Sequence, residues 1–284
     1  MTASPTPTAT ATLTPVPALG DRVWYDQNGD GVQTTDEPPL QGVTVTLYST
    51  VTGGVDGLAV GAAPVTITAV LTAVTQLDGR YGFTSVAPGH YYLEFTGPAS
   101  LVPTLCKQGV DDTVDSDACR RALSLVGHTT VFTVTANQPQ PDWDAGFTQP
   151  VTIQGHAYRD ANRNNQPDTD EAGMGGVTVI LQTTNTIAQT VSTERTRWTV
   201  GLASTGAIQE LARTQTDANG NYRFTQLTPG RYQLLITVPA GFTLPTADLI
   251  VLPPLQPGET LVESAGLVAL QPTNLPDAPE PNHR

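Results

Sequence analysis

Short alternations of apolar and polar residues recur along the chain, and they predict β-strands. Residues 42–48, GVTVTLY, place an apolar side chain at every second position, which is typical of a strand with one buried face. Residues 22–25, RVWY, are β-branched and aromatic at their centre and favour another strand. No long segment repeats its apolar residues with the 3.6-residue period of a helix. The pattern therefore predicts a chain that is nearly all β.

The same pattern occurs twice. Residues 22–48 are similar to residues 156–182, and residues 78–95 are similar to residues 219–236. Self-similarity of this kind indicates a tandem pair of structural units, each with an ordinary domain length. Matching aromatic residues in the two copies are predicted to be core rather than ligand-binding. They are Tyr81, Phe83, Tyr91, Tyr222, Phe224 and Tyr232.

Both ends of the chain have a composition that cannot build a core. The first 19 residues are mainly Thr, Pro and Ala, which is typical of an extended linker or a glycosylated stalk, and the last 14 are rich in proline. No apolar signal segment or membrane span is evident, so we expect a piece of a longer protein or a chain whose export signal was removed. The predicted division is a linker at 1–19, β-sandwich domains at 20–149 and 150–270, and a tail at 271–284.

Residues 26–37, DQNGDGVQTTDE, match a calcium-loop pattern, D-x-[DN]-x-[DN]-G-x5-E. Calcium is a hard cation that takes several oxygen ligands, and this spacing supplies them from one short turn. The predicted ligands are the side chains of Asp26, Asn28 and Asp30, the carbonyl of Val32 and the carboxylate of Glu37. Prolines at 38 and 39 oppose a following helix, so we expect a loop between strands and not a helix–loop–helix switch. The alternative is an acidic surface turn without metal.

The second copy carries a weaker form of this loop at residues 160–171. Asn165 takes the place of the glycine at the sixth position, and Asn tolerates a left-handed backbone better than most residues. Because fewer carboxylates lower the affinity for calcium, we expect a weaker site, with a metal-free turn as the alternative. Its predicted ligands are Asp160, Asn162, Asn164, the Gln166 carbonyl, Asp168 and Glu171.

The negative net charge of the chain also favours bound cations. The chain carries 26 acidic against 13 basic residues, a formal charge of −13, and the acidic residues concentrate in a few short segments. The carboxylates within such a cluster repel one another unless cations neutralise them. An acidic surface also repels the phosphates of nucleic acid, so we expect no nucleic-acid partner.

One of these segments, DDTVDSDA at 111–118, lies between the two cysteines of the chain, Cys106 and Cys119. In an oxidising compartment we expect them to form a disulfide that closes the base of an acidic loop. Asp112, Asp115 and Asp117 are then candidate ligands for a further calcium ion. A solvated acidic loop is the alternative.

A binding surface and an enzyme are the two alternatives to a structural role. The insert at 183–213 contains Trp198 directly after the charged residues Glu194, Arg195 and Arg197, which favours a glycan- or protein-binding surface, unless that tryptophan packs against its own hairpin. The four histidines are scattered and no hydrolase motif is present, so we expect no enzyme activity.

Six motifs follow one another between residues 20 and 147: GDRVWYDQNGDGVQ, GVTVTLY, DG-x-Y-x-F, A-P-G-x-Y, DDTVDSD and DWDAGF. In this order they resemble the B-type (SdrD B-like) domains of the serine-aspartate repeat surface proteins of bacteria. These domains are related to the collagen-adhesin (Cna) B-type and transthyretin (prealbumin)-like sandwiches. The resemblance is partial for residues 151–268, where the acidic loop is missing and the last motif is ESAGL.

The resemblance implies two tandem Greek-key β-sandwiches with irregular calcium loops. It also implies a calcium-stabilised stalk in a secreted or cell-surface protein related to adhesion. The implied partners are neighbouring domains of a longer surface protein and an extracellular protein or glycan, with no nucleic acid and no direct membrane insertion. Calcium (Ca²⁺) is the implied cofactor.

Overall fold

The computed structural model describes residues 19–51, 66–120, 123–136, 142–183, 208–245 and 248–270. All strands and helices assigned in this part of the chain are β-strands, so the predicted all-β class is confirmed. Within the same residues, no helix has the length and apolar character needed to cross a membrane.

The described residues before position 149 contain nine strands. They are β1 (Val23–Tyr25), β2 (Thr44–Val51), β3 (Thr66–Val74), β4 (Gly89–Thr96), β5 (Val102–Pro103), β6 (Cys119–Arg120), β7 (Val126–His128), β8 (Phe132–Val134) and β9 (Ala145–Thr148).

These strands form two sheets around one core. The smaller sheet has the order β1-β9-β5, and the larger has the order β3-β2-β4-β7-β6, with β8 also pairing with β4. Val23 and Phe147 of the smaller sheet and Leu47, Leu93 and Phe95 of the larger sheet are completely buried in the same apolar cluster. The first half is thus a β-sandwich.

The described residues after position 149 contain nine further strands. They are β10 (Val151–Arg159), β11 (Thr178–Thr183), β12 (Gln209–Gln215), β13 (Asn221–Leu227), β14 (Tyr232–Thr237), β15 (Phe242–Thr243), β16 (Leu249–Val251), β17 (Thr260–Val262) and β18 (Ala265–Ala269).

The second half repeats the arrangement of the first. One sheet has the order β13-β10-β18-β15, with β17 also pairing with β10, and the other has the order β12-β11-β14-β16. In both halves the first strand runs parallel to the last, as β1 with β9 and β10 with β18. A separate apolar cluster that includes Ile153, Leu181 and Leu234 fills this half. The six aromatic residues predicted to be core are all buried.

The residues after the DG or NG turn form a regular strand in only one copy. Residues 221–227 are strand β13, which pairs with the continuous strand β10. In the first copy, the residues after the DG turn make only isolated bridges, at Arg80 and Phe83. Their partner segment contains Gly20 at a φ of +145°, where an added Cβ would lie 2.5 Å from the Tyr81 carbonyl oxygen. The backbone is thus irregular where the second copy has a regular ladder.

The two halves are joined closely. Strand β9 ends at Thr148 and β10 begins at Val151, so only two residues connect them. The Arg120 guanidinium donates a hydrogen bond to Thr228 Oγ1 at 3.1 Å, and the Thr228 hydroxyl donates to the Pro103 carbonyl at 3.2 Å. Leu123 packs against the apolar cluster of the second half. Contacts on both sides of the connection therefore hold the halves together.

Candidate metal centres

The loop at 26–37 follows β1 directly and turns sharply through two glycines. Gly29 and Gly31 have φ angles of +72° and +79°, in the left-handed region that glycine adopts without strain. A Cβ added to Gly31 would lie 2.2 Å from the Leu105 carbonyl oxygen, so no other residue fits there. The sixth position of the loop therefore requires glycine, as the motif predicted.

Asp26 lies at the buried floor of this loop, with 0% of its surface exposed. Its carboxylate accepts hydrogen bonds from the backbone N–H of Gly29 at 2.6 Å and of Gly31 at 2.8 Å. The Thr104 hydroxyl donates a further hydrogen bond to the same carboxylate. The loop is thus folded around the first predicted ligand.

Glu37 closes the loop on the same floor and is 5% exposed. Its two carboxylate oxygens accept from the backbone N–H of Gln27 at 3.0 Å and of Thr34 at 2.9 Å. Burial raises the pKa of Glu37, and the neighbouring Asp26 carboxylate raises it further. The predicted ligands at the two ends of the motif therefore meet as a buried pair of carboxylates.

The intermediate positions of the loop are more exposed. The Asn28 side-chain oxygen accepts from the Asp30 N–H at 3.0 Å, and the Asp30 carboxylate accepts from the Val32 N–H at 2.8 Å. The Asn28 amide also donates to Asp30 at 2.9 Å. The side chains predicted at positions three and five are thus neighbours above the buried floor.

The loop at 160–171 follows β10 and repeats this construction. Glu171 accepts from the N–H of Ala161 at 2.8 Å and of Asp168 at 3.3 Å, the two donors that correspond to those of Glu37. Asn165 has a φ of +58° and donates its N–H to Asp160 Oδ2 at 3.0 Å. The second loop therefore keeps the backbone of the first, with Asn in place of glycine.

One oxygen in the second loop lacks a partner. Asp160 is 1% exposed, and its Oδ1 atom is buried without a hydrogen bond among the described residues. The other predicted side chains gather nearby, since Asp168 accepts hydrogen bonds from the side-chain amides of Asn162 at 2.7 Å and Asn164 at 2.9 Å. The Gln166 N–H donates to Asn164 at 2.8 Å. An unsatisfied buried oxygen of this kind is costly unless a cation or water reaches it.

The acidic loop is closed by a disulfide between Cys106 and Cys119, as predicted. Asp112, Asp115 and Asp117 each place one carboxylate oxygen so that the three atoms lie within 4.8 Å of one another. Burial raises the pKa of both Asp115 and Asp117 to about 6. The structure therefore brings together the three side chains that the sequence grouped as candidate ligands.

Two features of this region were not predicted from the sequence. The acidic loop pairs with the loop at 26–37, because Gln33 N–H donates to the Val114 carbonyl at 2.6 Å and Ser116 N–H donates to the Gly31 carbonyl at 3.1 Å. Asp144, from the DWDAGF motif, is also buried here and donates its N–H to Asp117 Oδ2 at 2.8 Å. Burial, and then the nearby Asp21, raise the pKa of Asp144 to about 8. The acidic DWDAGF motif, which leads into the core strand β9, was the sequence feature that could have identified Asp144 as part of this region.

The predicted binding insert at 183–213 is only partly covered by the structure. Its described residues belong to the end of β11 and to β12 with the residue before it. Trp198 lies outside the described residues. The predicted glycan or protein contact therefore stays a prediction.

Comparison with known proteins identifies the family. The model of the SdrD B-like domain matches residues 17–147 and 198–249. Serine-aspartate repeat-containing protein C of Staphylococcus aureus, in strains N315 and Newman, is 31% identical over 227 residues, which are 79% of this chain. The same region spans 19% of the length of those relatives.

Two of the solved structures with a similar outline are pilins. The minor pilin GBS52 of Streptococcus agalactiae is 14% identical, with a TM-score of 0.35 over 92% of this chain and 99% of the pilin. A streptococcal ancillary pilin is also 14% identical, with a TM-score of 0.34 over 89% of this chain and 62% of the pilin. TM-scores this low support no argument about function. The match to the family model covers more than half of the chain, which thus belongs to the SdrD B-like domain family of bacterial cell-surface proteins.

Proposed function

We propose that the chain is a calcium-stabilised spacer in a surface protein and holds a binding region away from the cell. The buried pair Asp26 and Glu37 carries this proposal. Two carboxylates on a water-poor floor repel each other, and a divalent cation between them removes that cost. The family is one of structural surface domains, and we propose a structural rather than enzymatic role for this member.

The donor set supports calcium in preference to a softer metal. Carboxylates, amide oxygens and backbone carbonyls are the ligands that calcium prefers, and the two loops contain no histidine or cysteine. In the first loop, Asp26, Asn28, Asp30, the Val32 carbonyl and Glu37 would hold the ion. In the second loop the buried Asp160 Oδ1, which lacks a partner among the described residues, supports a site. There Asp160, Asn162, Asn164, the Gln166 carbonyl, Asp168 and Glu171 would hold the ion.

Asp112, Asp115 and Asp117 form the third candidate. The Lys107 ammonium contacts all three carboxylates, so a calcium ion binds there only in place of that ammonium.

The join between the halves supports the spacer role. We propose domains at 20–149 and 150–270 that act as one stiff segment between a linker at 1–19 and a tail at 271–284. The first calcium loop contributes to this join, because a Cβ on Gly29 would lie 3.0 Å from side-chain atoms of Pro229 and Pro257. A cation that orders this loop therefore also orders the surface against which the second half packs.

Thermal melts in excess calcium and in chelator test the proposal. A ligand that binds only the folded state at 100 times its Kd adds about 2.7 kcal/mol, which corresponds to a rise in Tm of roughly 10 °C. A calorimetric titration gives the number of bound ions. An unchanged Tm together with no measurable calcium binding contradicts the proposal.

Two variants locate the first site. Asp26→Asn removes a charge from the buried floor, and Asp36→Asn removes the same charge from an exposed position of the same loop. We expect Asp26→Asn to weaken calcium binding by about tenfold or more, and Asp36→Asn to leave it nearly unchanged. Equal losses in both variants would indicate diffuse charge attraction instead of a site.

A further inference from the structure

A lysine side chain fills the centre of the acidic loop. Lys107 Nζ lies 2.5 Å from Asp112 Oδ1 and 3.4 Å from Asp115 Oδ1, and its shortest contact is with Asp117 Oδ1. These are the three carboxylates whose oxygens cluster within 4.8 Å. The ammonium therefore sits where a metal ion would have to bind.

The backbone holds Lys107 in this position. Its φ is +53°, in the left-handed region that a residue with a Cβ adopts at a cost. Its N–H donates to the Ser116 carbonyl at 2.9 Å, and the preceding residue, Cys106, is tied by its disulfide to Cys119. The chain is thus fixed on both sides of the acidic loop, with the side chain directed into it.

The charges of the loop explain why a cation is needed. The side chains of Asp115 and Asp117 are 7% and 2% exposed, whereas that of Asp112 is 80% exposed. Buried carboxylates that face one another are unstable as anions without a positive partner. Lys107 supplies this positive partner from the base of the loop, because its ammonium contacts all three carboxylates. It is also the only lysine of the chain.

We propose that Lys107 is a tethered cation that takes the place of a metal ion in the acidic loop. The loop then folds without calcium and binds it only when the ammonium is withdrawn. The acidic loop of the wild-type chain therefore contributes nothing to any calcium dependence of its stability. This inference concerns the acidic loop alone and does not require that the other two loops bind metal.

Calorimetric titration with calcium of the wild-type chain and of Lys107→Met tests the proposal. Lys107→Met keeps the length of the side chain and removes its charge. We expect the variant to bind about one more calcium ion per chain than the wild type, because the three carboxylates then lack a cation. Lys107→Arg, which keeps the charge, is expected to bind the wild-type number. An equal number of ions for the wild type and Lys107→Met overturns the proposal.

If Lys107→Met folds poorly, thermal melts in chelator and in calcium test the same proposal. In chelator its Tm should fall below that of the wild type, and added calcium should restore most of the difference. A Tm that calcium does not restore shows that the two cations are not interchangeable and overturns the proposal. The triple variant Lys107→Met, Asp115→Asn, Asp117→Asn removes the charges that need a partner and should show neither effect. Calcium bound by the wild type measures binding at the loops at 26–37 and 160–171, which tests the proposed function. The difference between the wild type and Lys107→Met tests the acidic loop, so either proposal can fail without the other.

Discussion

At the scale of single residues, the two buried carboxylates and the glycines between them decide what the first loop can do. Asp26 and Glu37 were predictable from the sequence because the motif that spaces them is local, and the hydrogen bonds that fold the loop are local too. Asp144 and Lys107 were not recognised as part of the same region. Asp144 reaches Asp117 across 27 residues, and only the folded chain brings them together.

Gly31→Ala should destabilise the first half more than Gly42→Ala does. Both glycines have a positive φ, so both variants pay the cost of a left-handed backbone, about 1 kcal/mol. Only at position 31 does the new methyl group meet the Leu105 carbonyl oxygen, since nothing lies within 4 Å of a Cβ at position 42. Chemical denaturation should show an additional loss of roughly 2 kcal/mol or more for Gly31→Ala. Equal losses in the two variants would contradict the close approach.

At the scale of elements, several strands follow from apolar alternation, whereas the strand order and the contacts between loops do not. The alternating segment at 42–48 became part of β2, and its counterpart became β11. The sequence contains no pattern that indicates pairing between the acidic loop and the loop at 26–37, because the bridge joins Val32 to Asp115, which are far apart along the chain. It also did not reveal that the aromatic segment of the first copy lacks a ladder, which depends on the backbone at Gly20.

Removing the disulfide tests how much the acidic loop depends on its closed base. The bridged cysteines are 13 residues apart, and closing a loop of this length is worth about 3 kcal/mol in the chain-entropy model. The double variant Cys106→Ala, Cys119→Ala should therefore lower the free energy of unfolding of the first half by about that amount. Denaturant unfolding measures it, and added reductant should have no further effect on the double variant. A loss confined to the second half would contradict the assignment of the loop to the first core.

At the scale of the whole molecule, the two halves have separate apolar cores, and directional hydrogen bonds join their surfaces. Arg120 is buried, and its guanidinium donates to the Leu123 and Ser124 carbonyls as well as to Thr228. Burial lowers the pKa of Arg120 to about 10, which shows how far this charge has been removed from water. A buried arginine held by uncharged oxygens fixes the direction of its partners more than it adds stability.

A double-mutant cycle measures this contact across the join. Arg120→Met and Thr228→Val each remove the hydrogen bond between the halves while keeping most of the side-chain volume. We expect a coupling energy of about 1 kcal/mol between the two positions, because they share this one hydrogen bond, whereas the bond to Pro103 belongs to Thr228 alone. Calorimetric unfolding should also become less cooperative between the halves in the double variant. Strictly additive effects would show that the contact does not couple them.

The parallel pairing of first and last strands determines how the chain responds to mechanical load. A pull applied before β1 and after β9 acts on opposite ends of two strands that run in the same direction, so it shears their ladder lengthwise. The same geometry recurs in β10 and β18. Hydrogen bonds sheared in this way share the force instead of opening one after another. Each half therefore resists tension that is applied through its first and last strands.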